Sequence, residues 1–233
     1  SEKVIYLPNS YQPNFSNKLI SDKVFTRQEL GLPKSGFIYC CFNNNYKLLP
    51  ANLDSWARIL NSVDESVLWL LEDNRNASVN LKNELSSRGI NPNRIYFAQR
   101  MPVRDHLARH HLADLFLDSH PYNAHTTASD ALWMGLPVLT YPGRSFASRV
   151  ASSLLNALDI PELITNSKEE YEQKAIELGK NKNELERIKN KIEVHKFSKP
   201  LFNPKLFTND LETAFEKIHL RHLDGLEPDH LYI

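Results

Sequence analysis

Short, unbroken apolar runs alternate along this chain with longer stretches in which apolar residues recur every three or four positions. Phe37–Phe42 (FIYCCF), Val67–Leu71 (VLWLL), Arg94–Ala98 (RIYFA), Leu115–Asp118 (LFLD) and Pro137–Thr140 (PVLT) read as strands of a buried parallel sheet. Helices are expected between them. One starts at Pro50 and runs through Leu60, with Leu53, Trp56, Ile59 and Leu60 on one face. Val79–Arg88 follows, ended by Gly89, and then Arg104–His111, Thr126–Met134 and Phe146–Leu158. Strict alternation of strand and helix through short loops predicts an α/β fold, a Rossmann-like doubly wound parallel sheet with helices on both faces.

The flanks differ in texture. Residues 1–35 read as a connector: a short strand over Val4–Leu7, an irregular Pro- and Asn-rich segment, and one helical turn at Thr26–Leu30. The sheet domain is expected over residues 36–165, and C-terminal helices over 166–233 complete it. Ser167–Lys196 reads as two solvated helices broken near Gly179. Pro200–Pro204 is then a loop, Phe207–His219 an amphipathic helix, and the remainder a loose tail.

Ligands of such sheets sit beyond the carboxyl ends of the strands. Three polar loops fall there: Asn43–Lys47, Gln99–Asp105 and Ser119–Thr127. The stretch Leu115–Gly135 is the most informative. His125, Thr126 and Thr127 open a helix with Asp130 shortly after, and a helix start offers unpaired N–H groups and partial positive charge to an anion. The same spacing suits plain helix capping by a Thr hydroxyl. Lys47, in the first loop, can neutralise a diphosphate or sit in solvent. In DHLARHH, His106 and His110 share a helical face as metal ligands would, but no HExxH pattern or third ligand accompanies them. A structural or solvent role for His110 and His111 is the simpler reading. His106 and Arg109 also share a face, suited to a nucleobase.

Other chemistries are disfavoured by what the loops contain. FNNNYK stands where a dinucleotide fold carries GxGxxG, and neither a P-loop nor a GxSxG elbow occurs. The 233 residues are 41% hydrophobic and 24% charged, enough for a real core, and the formal net charge is zero, which argues against nucleic-acid binding. No apolar run has the length of a membrane span and no signal peptide opens the chain. The adjacent Cys40 and Cys41 read as buried thiols of a reducing compartment. Ser1 in place of Met suggests a piece of a longer polypeptide.

Several segments together resemble one family. FNNNYKLLP (Phe42–Pro50), the run from Arg94 to Arg109, LFLDSHPYNAHTTASDALWMGLPVLTYPG (Leu115–Gly143), SRVASSLL (Ser148–Leu155), KPLFN (Lys199–Asn203) and DGLEPDH (Asp224–His230) are similar to the C-terminal catalytic half of the O-GlcNAc transferases. That group includes SPINDLY-like and bacterial tetratricopeptide-linked relatives. The resemblance implies the C-terminal, donor-binding domain of a GT-B glycosyltransferase. It implies a cytoplasmic enzyme that needs no cofactor or metal and transfers GlcNAc from UDP-GlcNAc, with inversion, to Ser or Thr of proteins.

By position, the resemblance makes Lys47 the catalytic contact to the diphosphate, and His125, Thr126 and Thr127 the phosphate grip. Asp130 would serve the ribose, His106 would stack on the uracil with Arg109 beside it, and the backbone near Met101 would read its edge. Tyr46 and Tyr122 would line the sugar pocket. Two positions depart from the family. Asn44 stands where Gln is frequent, and a ribose-holding Lys falls at Val103, which leaves Asp130 with fewer partners. The resemblance also implies that the protein acceptor is held by an N-terminal catalytic half and helical repeats outside this chain, so that the fragment alone would transfer little sugar. A non-catalytic nucleotide-sugar-binding or scaffold module, and a GT-B enzyme acting on a non-protein acceptor, are the alternatives.

Overall fold

The structure, a computed structural model, describes residues 2–233; the first residue of the expected connector lies outside them. Its elements are β1 (Ile5–Tyr6), β2 (Ile38–Cys41), α1 (Pro50–Ser62), β3 (Val67–Leu71), α2 (Arg75–Ser87), β4 (Ile95–Ala98), α3 (Val103–Ala108), β5 (Leu115–Leu117), α4 (Thr126–Trp133), β6 (Val138–Leu139), α5 (Val150–Ala157), α6 (Lys168–Lys180), α7 (Lys182–Ser198), α8 (Pro204–Leu223) and β7 (Leu231–Tyr232). Five of the strands form one sheet in the order β4-β3-β2-β5-β6, and every neighbouring pair is parallel. This is the doubly wound order expected of alternating strands and helices, and its direction of winding reverses between β2 and β5.

The continuous apolar runs follow from this burial. All residues of β2, β3, β5 and β6 are buried, because helices cover both faces of the sheet. Trp56 of α1 and Trp69 of β3 are fully enclosed in the core. Each such aromatic removes a large apolar area from water, and full burial contributes about 1.5–3 kcal/mol for a Phe-sized side chain.

Several boundaries differ from the sequence reading for identifiable reasons. Helix α2 begins at Arg75, four residues before the expected Val79, because Asn74 accepts a hydrogen bond from the Ala77 N–H and caps it. The segment Phe146–Leu158 is a 3₁₀ turn (Phe146–Ser148) followed by α5. The expected helix Phe207–His219 is longer at both ends, with Asn203 as cap and Pro204 at its first position. The loose tail is ordered at its end: Leu231 and Tyr232 pair in parallel with Ile5 and Tyr6. The expected strand at Val4–Leu7 is therefore present as β1.

The charged C-terminal helices are more than a solvated surface. Their sparse apolar residues, Tyr171, Ala175 and Leu178 on α6 and Leu185, Ile188 and Ile192 on α7, are all buried. Their spacing of three and four places them on one stripe of each helix. Gly179 does not break the pair; α6 continues to Lys180 and the break falls at Asn181. A Cβ at Gly179 would stand 2.2 Å from the Tyr39 hydroxyl, so glycine is there for close approach of α6 to β2. Tyr39 in turn donates to the Ala175 carbonyl at 2.8 Å.

Candidate functional site

The winding reversal places the loop after β2 beside the loop after β5, and the side chains of these loops bind one another. Asn43 donates from Nδ2 to Ser119 Oγ at 2.8 Å and accepts at Oδ1 from Thr127 Oγ1 at 2.6 Å. Lys47 Nζ donates to the Asn123 carbonyl at 2.8 Å and lies 4.2 Å from the centroid of the Tyr122 ring. Lys47 is 9% exposed. Burial lowers its pKa from the ordinary lysine value, while the nearby Asp118 and Cys41 act in the opposite direction. The lysine is thus enclosed rather than solvent-borne, and one carbonyl satisfies only one of its three protons.

Asp118 is the anchor of the second loop. Its carboxylate accepts from the N–H of Ser119 and of Ala124 and from the Thr140 hydroxyl, at 2.8, 2.6 and 2.7 Å. Burial raises its pKa to about 7 against these hydrogen bonds and the pull of Lys47. The sequence pattern marked Asp118 only as the end of a strand, although a carboxylate closing an otherwise apolar run was the available signal.

Helix α4 starts beside this loop. His125 is its N-cap residue, with no side-chain cap bond, and among the described residues the N–H groups of Thr126 and Thr127 have no acceptor. The capping expectation is therefore corrected: the Thr127 hydroxyl is engaged by Asn43, and the helix end stays open. His125 receives Tyr11 instead, with the phenol oxygen 3.0 Å from Nδ1. Burial and then the Lys47 charge hold the His125 pKa below its ordinary value. Buried side-chain polar atoms without partners are rare in folded chains. Of the eight among the described residues, five belong to the stretch Leu115–Gly135: His120 Nδ1, Asn123 Oδ1, His125 Nε2, Ser129 Oγ and Trp133 Nε1.

Asp130 is not short of partners. Lys18, from the connector, places Nζ 2.5 Å from Asp130 Oδ1, and the two side chains are only 19% and 17% exposed. Val103, where the resemblance puts a missing lysine, is 69% exposed.

The third loop is brought in by the crossover from β4 through α3 to β5. His106 lies edge-on to Phe42 at the end of β2, with ring centroids 5.3 Å apart. Burial first, then His110, Arg109 and Arg100, drive its pKa down to about 3, so the ring is neutral at ordinary pH. Arg109 is 1% exposed, so its guanidinium is fully enclosed by protein. It donates to the Gln99 carbonyl at 2.6 Å, meets His106 Nδ1 at 2.5 Å, and rests over the Phe42 and Trp69 rings. Burial lowers its pKa to about 10. Its polar contacts thus go to His106 and to the Gln99 carbonyl.

The remaining residues take smaller parts. Asn44 accepts from Arg100 at 3.1 Å, so the shorter side chain is fixed by protein. Tyr46 and Tyr122 stand with ring centroids 6.0 Å apart, and both are exposed. Met101 is partly buried at the loop before α3. His110 is buried against the His106 carbonyl, and His111 contacts the carbonyls of Ala108 and Phe25, so both are structural. No group of three or more metal-ligating side chains occurs among the described residues. Cys40 and Cys41 are free, buried thiols. A cavity of 630 Å³ opens along the connector and shares with this site Tyr11 and Phe146, which flank His125. No described helix is long and apolar enough to cross a membrane.

Residues 15–211 match the model of glycosyl transferase family 41. A probable UDP-N-acetylglucosamine–peptide N-acetylglucosaminyltransferase SEC of Arabidopsis thaliana is 34% identical, over 100% of this chain and 24% of its own length. The UDP-N-acetylglucosamine–peptide N-acetylglucosaminyltransferase of Caenorhabditis elegans is 36% identical, over 88% of this chain and 18% of its own. Among solved structures, a variant of the Thermobaculum terrenum O-GlcNAc transferase superposes with a TM-score of 0.76 at 30% identity, covering 91% of this chain and 40% of that one. The chain therefore spans a quarter or less of the length of these curated relatives.

Proposed function

This chain belongs to glycosyl transferase family 41, and from that membership we propose that it holds the UDP-sugar donor of a protein O-linked N-acetylglucosaminyltransferase. The α/β GT-B architecture expected from the sequence stands with the family. The donor would lie across the β2–β5 reversal, with its diphosphate at the start of α4 and its uracil toward α3.

The geometry supports each of these roles. A diphosphate at α4 would take the free N–H groups of Thr126 and Thr127 and the second and third protons of Lys47. The neutral His106, fixed by Arg109, would stack on the base, and the Met101 backbone would meet its edge. Asp130 would face the ribose. In the transfer, the acceptor hydroxyl of Ser or Thr attacks the anomeric carbon from the side opposite UDP. The bond from that carbon to the β-phosphate oxygen breaks, and its electron pair leaves with UDP, so the configuration inverts. Lys47 and the helix end receive the developing charge, which is the task a metal ion performs elsewhere. The acceptor's proton passes to a general base.

One observation carries the reading: a buried lysine with a single carbonyl acceptor, standing beside an open helix N-terminus. Transfer from UDP-GlcNAc to protein by the full-length enzyme in the presence of EDTA tests it. Transfer that survives chelation supports the proposal, and strict dependence on a divalent metal overturns the charge-stabilising role given to Lys47 and α4.

A further inference from the structure

The connector does more than lead into the sheet. Tyr11 touches His125 at the cap of α4, Lys18 pairs with Asp130 one turn further on, and Ser21 N–H donates to the Arg104 carbonyl at the start of α3 at 3.2 Å. Residues 11–21 therefore run from the phosphate end of the site to its base end. We propose that Lys18 is a donor-site residue, whose ammonium cancels the Asp130 carboxylate so that a diphosphate can settle at the N-terminus of α4. The inference rests on the UDP reading above.

Helical side chains lean toward the N-terminus of their helix, so the Asp130 carboxylate is carried back toward Thr126 and Thr127. An acid there stabilises an empty helix end, but it repels a ligand bearing two or more negative charges. The pair is poorly exposed, at 19% and 17%, so solvent screens that repulsion weakly. A lysine 2.5 Å away removes the net charge while leaving one carboxylate oxygen for a hydroxyl. The connector thereby makes the site's charge balance suitable for an anion, which neither α4 nor the loop of Lys47 achieves alone.

Calorimetry on this chain with UDP and with uridine separates the diphosphate from the rest of the nucleotide. Lys18→Met is expected to weaken UDP about tenfold or more while changing uridine less than about twofold, and high salt is expected to shrink the difference. Lys18→Arg is expected to restore UDP binding. Equal losses for UDP and uridine would make Lys18 a strut and overturn the inference, as would unchanged or tighter UDP binding by the Met variant. If the folded wild-type chain binds UDP and the variant matches it, Lys18 alone is rejected. If the folded wild-type chain binds neither ligand, the nucleotide reading fails together with the inference.

Discussion

Lys47 Nζ reaches the carbonyl of Asn123 at 2.8 Å, joining the loop after β2 to the loop after β5 at the point where the sheet reverses its winding. The bond does two things. It fixes an ammonium beside the open end of α4, and it uses only part of that ammonium's hydrogen-bonding capacity. A charge held ready in a poorly solvated place stabilises developing negative charge without reorganisation.

Replacing Lys47 should therefore affect chemistry more than folding. In the full-length enzyme, Lys47→Ala is expected to lower kcat by about two orders of magnitude or more, the usual cost of losing a positioned charge stabiliser. Steady-state kinetics of sugar transfer checks this, and near-normal turnover would remove Lys47 from the mechanism.

Arg109 makes the opposite case. Its guanidinium is buried under the expected base site and holds His106 and the Gln99 carbonyl. Arg109→Ala leaves that carbonyl without its donor and opens a gap over Phe42 and Trp69. A stability loss of about 2–4 kcal/mol is expected, together with weaker UDP binding. Urea unfolding and calorimetry measure the two effects, and a variant of wild-type stability would show that Arg109 is not the support described.

Two groups give opposite pH signatures. His106 titrates near 3 in the fold against an ordinary 6.5, so the unfolded chain takes up a proton that the native state refuses. Its contribution to stability is full above 6.5 and is lost as the pH falls toward 3. Asp118 titrates near 7 in the fold against an ordinary 3.8, so its contribution is full below 3.8 and is lost as the pH rises through 7. Tm measured against pH should show a shallower acid-side decline in His106→Gln than in the wild type. Asp118→Asn should lack the stability loss between about pH 4 and 7. Parallel wild-type and variant curves would reject either assignment.

The sheet was legible because fully buried strands read as continuous apolar runs, and FIYCCF, VLWLL and LFLD each mark one. The three ligand-side loops followed from strand direction alone. Other features had no local signature. Lys18 is separated from Asp130 by 112 positions and lies in a connector without periodicity. The burial of Arg109 has no local signature either, since buried arginines are uncommon. Thr127 reads as a cap because spacing does not reveal that Asn43, 84 positions away, takes its hydroxyl. The pairing of β1 with β7 joins the two ends of the chain, which no short window of sequence shows.

The central claim is that this chain grips a uridine diphosphate through Lys47 and the start of α4. Calorimetric titration of the folded chain with UDP tests it most directly. The account predicts saturable one-to-one binding that is weakened at least about tenfold by Lys47→Ala. A folded wild-type chain that takes up no UDP, or one whose UDP affinity is unchanged by Lys47→Ala, would contradict it.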